Sequence, residues 1–225
     1  MVNKVLLTYA VFDFIFVAMG IVIIVFSTTV QKFQFEVPTD GKQAARNLLY
    51  QRFPFTAAII NSVGIFITFV ITVPGLITPV RSWLKVGAYL TTVNAIFTLV
   101  IGLYLWIQTL RTKGDFAPIW GNQTAAVQDL MQAAFQCCGY FNSTSPAFVT
   151  NPTCQSPASA ALMRGCATPI TSFANIFVDD IFTSLFGMVG IDVAFVVATA
   201  CLLKQRKERE RFRHIDEKSG ALRGF

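Results

Sequence analysis

The sequence predicts an all-α membrane protein: a four-transmembrane-helix bundle with a small disulfide-stapled extracellular domain between helices 3 and 4. Three observations predict it. The 225 residues are 54% hydrophobic and only 13% charged, about half the charged share of an ordinary soluble domain. Four apolar stretches, 6–30, 55–77, 86–110 and 181–203, reach the roughly 20 residues a helix needs to cross hydrocarbon. Four of the five cysteines lie in one segment between the third and fourth stretches.

The chain opens with a short N-terminus, 1–5, whose Lys4 precedes an apolar run as in a signal peptide. That run is too long for a typical signal core and ends at no small-residue cleavage site, so span one, 6–30, reads as an uncleaved anchor. Ala10, Asp13, Val17, Gly20, Ile24 and Ser27 recur along it at alternating spacings of three and four, a heptad seam with small members. A small outer loop, 31–54, follows. Span two, 55–77, repeats the rhythm with Ala57, Asn61, Gly64 and Thr68, so spans one and two are expected to pack closely. An inner loop, 78–85, leads to span three, 86–110, and the large loop, 111–180. Span four, 181–203, has Gly190, Ala194 and Ala198 at spacings of four and gives way to a basic tail, 204–225.

Orientation follows from charge. With the N-terminus inside, segments 1–5, 78–85 and 204–225 hold 11 of the 18 Lys and Arg residues, although 31–54 and 111–180 are far longer. The positive-inside rule therefore puts both termini in the cytoplasm. The net charge of +6 thus belongs to topology and gives no ground for a nucleic-acid partner. Cys137, Cys138, Cys154 and Cys166 then face an oxidising compartment, as do the sequons at Asn122 and Asn142.

In the large loop, Asp115 to Cys138 reads as an amphipathic helix, with Val127, Leu130, Met131, Ala134 and Phe135 on one face and Gly139 as its stop. Tyr140 to Pro157 reads as turns. A second helix is expected from near Pro169, with Phe173, Ile176 and Phe177 on its apolar face. So small a unit has too little core and needs disulfides. Vicinal cysteines rarely bond to each other, so Cys137 and Cys138 each reach across, one to Cys154 and one to Cys166. Each closure contributes about 3 kcal/mol. A zinc site is the alternative use of four thiolates, but the exported location and the lack of a CxxC pair argue against metal.

Cys137-Cys138-Gly139, the later Pro152-Thr153-Cys154 and Gly165-Cys166 before the last span resemble the tetraspanin family. The resemblance covers the whole chain, from the small first loop to the short tail. It implies pairing of Cys137 with Cys166 and of Cys138 with Cys154. The chain is also similar to the fungal tetraspanins linked to infection structures and host penetration. It departs from the better-known animal members in having no cysteine near the start of span one and no tyrosine-based sorting signal in its tail.

Inside the spans, Asp13, Asn61, Asn94 and Asp192 are costly polar residues expected to face other helices. Asp13 and Asn94 lie at about the same depth and are expected to bond to each other; Asp192 and Asn61 have no obvious level partner. They read as hydrogen-bond glue worth roughly 0.6 kcal/mol per contact, with a proton or ion pathway as the other use. Cys201, at the inner end of span four, is a candidate for palmitoylation. The tail mixes six basic residues with Glu208 and Glu210 in the stretch 204–214, which suits a solvated helix attracted to anionic inner-leaflet lipid.

No catalytic constellation is present in the sequence: the one histidine, His214, lies among cations in the tail, and no Gly-rich phosphate loop, HExxH or GxSxG occurs. The expected activity is therefore that of a membrane organiser or scaffold, as the resemblance implies. Its expected partners are other integral membrane proteins, other tetraspanins among them, and membrane lipids. A small channel or transporter using the intramembrane polar residues is the alternative, and a claudin-like barrier is disfavoured because 31–54 has no cysteine. No cofactor or metal is expected, apart from a sterol in a cavity between the helices, which the resemblance implies. The expected location is the plasma membrane or endosomal and vacuolar membranes. Recognition is expected from 140–166, with Tyr140, Phe141 and Phe148 as candidate contacts or core.

Overall fold

The computed structural model describes residues 4–222 other than Pro146, with side chains as far as Lys218. The elements are α1 (Lys4–Phe33), α2 (Gly41–Tyr50), α3 (Phe55–Ile77), α4 (Arg81–Gly121), α5 (Ala125–Phe135), α6 (Pro157–Leu162) and α7 (Ala167–Leu222). An isolated bridge joins Thr144 to Ala147. Helices α1, α3, α4 and α7 are long and apolar enough to cross a membrane, as a multi-pass membrane protein requires.

Three of these helices outrun the apolar stretches that mark them. Hydropathy changes at residue 110, but the helical stripe does not, because Leu105, Thr112, Phe116 and Trp120 all stay buried on α4. Pro118 stands in its last turns, and Gly121 ends it. The single helix expected over 115–138 is therefore two. The break falls at 122–124, where the Asn122 N–H donates to Pro118 O at 3.2 Å and the Gln123 N–H to Trp120 O at 3.1 Å. Thr124 is the N-cap residue of α5, which closes on Gln136 in the left-handed region at φ 49°. The stop thus comes three residues before the expected Gly139, which itself has φ 68°.

Helix α7 fuses the loop helix, the fourth apolar stretch and the tail into 56 continuous residues. Its loop face also differs from expectation: Ile170, Ala174 and Val178 are buried, whereas Ile176 is exposed. Helices α2 and α6 lie in segments read as loops. Ala44, Ala45, Leu48 and Leu49 bury one side of α2, which packs on α5. Ser156 caps α6, accepting from the Ser159 N–H at 3.2 Å while the Ser156 N–H donates to Ser159 Oγ at 3.0 Å.

The chain divides into two compact units. One comprises α1 to Val25, α3 from Thr56, α4 to Val100 and α7 from Leu185. Its core gathers Tyr9, Phe16, Met19, Ile23, Ile65, Leu84, Phe195 and Leu202, and the Phe195 ring lies 5.3 Å from Tyr9 and 5.4 Å from Phe16. The buried seam of α1 is Tyr9, Asp13, Phe16, Gly20, Ile23 and Ser27, so three of the six expected positions shift by one, two of them to larger neighbours. The bulkier Tyr9 and Phe16 take two of those places because, in hydrocarbon, van der Waals packing and not removal from water drives helices together. Gly20 lies against Ile65, the close contact expected between spans one and two. On α7 the buried line is Asp192, Phe195, Ala198, Thr199 and Leu202, so the expected Ala198 packs inward, while Gly190, another expected packing position, faces open space.

The other unit comprises Phe26–Phe55 and Ile101–Ser184. It contains all four paired cysteines.

Candidate functional site: the disulfide-tied segment between α4 and α7

After α5 the chain bends through Cys138, Gly139 and Tyr140 beside the strip that leads into α7. The Cys138 N–H donates to Arg164 O at 3.0 Å, the Cys166 N–H to Gly139 O at 2.9 Å and the Ala167 N–H to Tyr140 O at 2.9 Å. This approach needs a glycine at 165. A Cβ there would lie 2.2 Å from Phe141 O and 2.6 Å from Tyr140 O, inside their van der Waals shells. Gly139 supplies the other condition, a positive φ without a steric cost.

The two strips are also joined covalently. Cys137 is bonded to Cys166 and Cys138 to Cys154, and all four sulfur-bearing residues are fully buried. The vicinal pair therefore holds two different parts of the segment, one at the start of α7 and one in the turn region.

Side chains that the sequence does not single out finish the frame. Gln132 is fully buried on α5 and grips the backbone at 149 from both sides. Its Nε2 donates to Val149 O at 2.7 Å, and its Oε1 accepts from the Val149 N–H at 3.1 Å and the Gly139 N–H at 3.4 Å. Asn151 donates to Asp129 Oδ1 at 2.6 Å and accepts from the Cys154 N–H at 2.6 Å. The one signal for Gln132 is its place beside Met131 on the apolar face of α5.

Tyr140, a candidate for contact or for core from the sequence, is fully buried and belongs to the core. Its ring packs 5.7 Å from Trp120, and its hydroxyl donates to Lys113 O at 2.8 Å. Burial, with the Asp115 carboxylate second, pushes the Tyr140 hydroxyl up from its ordinary value, so it remains a protonated donor. Phe148 packs, partly buried, on the small cluster of Cys138, Cys154 and Ala160. What is left outside is Phe141, 47% exposed, and Leu162, 90% exposed, two apolar side chains on a tied frame.

Asn122 and Asn142 are both exposed. Asn142 Oδ1 accepts from the Thr144 N–H at 2.9 Å, Thr144 Oγ1 at 2.9 Å and the Ser145 N–H at 2.8 Å. Cys201 is a free, exposed thiol.

The polar residues of the apolar helices do not pair as expected. Asp13 and Asn94 each bond to α3 and not to each other. Thr72 Oγ1 donates to Asp13 Oδ1 at 2.8 Å, and Asn94 Nδ2 donates to Thr68 Oγ1 at 2.7 Å. Thr68 and Thr72 stand one turn apart on α3, so short side chains from two helices meet hydroxyls on the third. Asn61 does find a partner, donating to Thr98 Oγ1 of α4 at 2.9 Å. Asp192 is 2% exposed, and its Oδ1 has no partner among the described residues. Threonine is nearly neutral in hydropathy, which is why these partners are hidden in the sequence. No protein-family model, curated protein or solved structure matches this chain.

Proposed function

We propose that the protein is a membrane organiser of the tetraspanin kind, holding other integral membrane proteins laterally and through the segment between α4 and α7. The observation that carries this is the exposure of Phe141 and Leu162 on a frame tied by two disulfides. Apolar groups already held in place lose little conformational freedom when a partner covers them, and such anchors dominate interface energies.

In this proposal the segment faces the non-cytoplasmic side, both termini are cytoplasmic, Asn122 and Asn142 are glycosylated, and Cys201 is palmitoylated. The charge asymmetry and the exposure of all three side chains support this arrangement. A role in infection structures and host penetration belongs to the same proposal and rests on the resemblance alone.

Crosslinking in the native membrane, followed by mass spectrometry, tests it. Specific membrane proteins are captured by the wild type, and capture falls at least about tenfold, near 1.4 kcal/mol, in Phe141→Ser/Leu162→Ser at unchanged melting temperature. Ion flux through liposomes that hold the pure protein, with no captured partner, would establish a small channel or transporter in its place.

A further inference from the structure

At the end of the bundle where α3 turns into α4, a hollow of about 540 Å³ opens between that turn and the polar extension of α7. Its lining is of two kinds. Leu6, Leu76 and Leu202 come from the apolar stretches of α1, α3 and α7, whereas Arg206, Arg209 and Arg213 line it from the extension. These three arginines stand on one face of α7, at spacings of three and four. The lining has one acid, Glu210, which is taken up by an ion pair with Arg81.

The arginines divide by role. Arg206 is part of the frame: Nη1 donates to Thr78 O at 2.7 Å and Nη2 to Gly75 O at 2.6 Å, closing the carbonyl end of α3. With the Arg81–Glu210 pair it holds the α7 extension against the α3–α4 turn. Arg209 and Arg213 are exposed, and Arg213 is only 3.6 Å from Glu217 on its own helix, an exposed and easily exchanged pair.

We propose that this hollow binds the phosphorylated headgroup of an anionic phospholipid, with Arg209 and Arg213 on the phosphate and the acyl chains along the leucine floor. Guanidinium groups present parallel N–H donors that match phosphate oxygens, and basic pockets between membrane helices hold such headgroups. The site lies where the apolar stretches end, the depth at which a lipid phosphate sits. It depends on the apolar helices crossing a membrane and not on any protein partner, so failure of the organiser function leaves it intact.

Native mass spectrometry of the full chain in mild detergent, titrated with dioleoyl phosphatidylinositol 4-phosphate or dioleoyl phosphatidylcholine, tests it. The phosphorylated lipid is expected to bind at one site at least about tenfold more tightly than phosphatidylcholine. Arg209→Ala/Arg213→Ala abolishes that preference. Lys207→Ala/Arg211→Ala, which removes equal charge from residues outside the lining, preserves it. Equal binding of the two lipids, or equal loss in both double variants, overturns the proposal in favour of diffuse attraction by the tail. Inositol 1,4-bisphosphate, lacking acyl chains, is expected to bind more weakly than the lipid. Equal affinity would overturn the lipid assignment and point to a soluble phosphate ligand.

Discussion

Tyr140 joins two properties that the sequence presents separately: it follows the cysteine-cysteine-glycine motif, and it is the buried hydroxyl that reaches Lys113 O on α4. Tyr140→Phe keeps the ring against Trp120 and loses the hydrogen bond, costing about 1 kcal/mol of stability. The pH dependence has a definite sign. Because the folded state holds the phenol proton above its ordinary value, the contribution is complete below about pH 10 and falls as pH rises beyond it. Melting curves from about pH 8 to about pH 11 should therefore fall more steeply for the wild type than for Tyr140→Phe, and parallel curves would refute the assignment. Tyr140 was legible as an aromatic beside the motif with two uses, contact or core, but the choice between them was not. Its partners Trp120 and Lys113 stand far from it in the chain and belong to a helix whose apolar stretch ends before either of them. Asp13, Asn61, Asn94 and Asp192 were legible for the opposite reason, because a polar side chain in an apolar run stands out without any knowledge of its partner.

Among the elements, the two disulfides divide the work. The Cys138–Cys154 bond, across 16 residues, ties the turn region and the cluster under α6, whereas Cys137–Cys166, across 29, ties the end of α5 to the start of α7. Loop-closure entropy assigns about 3 kcal/mol to the shorter and about 3.6 kcal/mol to the longer. Cys138→Ser/Cys154→Ser should raise amide exchange through 148–163 while leaving the buried face of α2 protected. Uniform loss of protection in both places would show that the segment unfolds as one unit. The helices at either side show how far periodicity carries. The apolar face of α5 was legible in part, since Met131 is buried and Val127, Leu130 and Phe135 are half-buried while Ala134 is exposed; its separation from α4 was not legible, because Asn122 and Thr124 are weak breakers that any helix of good packing absorbs. Helix α6 was hidden by its shortness, its Pro157 reading as a turn residue although proline suits the first turn of a helix.

For the whole molecule, the division of charge gives the clearest expectation. An epitope placed after Phe225 should be stained only once cells are permeabilised, while one inserted between Gln155 and Ser156 should be stained on intact cells; the reverse pattern would overturn the orientation. Each compact unit has its own core, one of large apolar side chains around Phe195 and one built around disulfides. The second device suits the unit in which polar and turn residues leave less apolar surface to bury. The sequence by itself determined the four apolar helices, the segment that carries the paired cysteines and the basic end of the chain. Those depend on sums over neighbouring residues, whether transfer free energy along a helix or charge within a short segment. Tertiary structure decided that Cys137 meets Cys166, that Thr68 and Thr72 receive Asn94 and Asp13, and that Arg206 closes α3 while Arg209 and Arg213 line a hollow. Each of these depends on the distance between groups remote in the chain, which only the packing of helices sets.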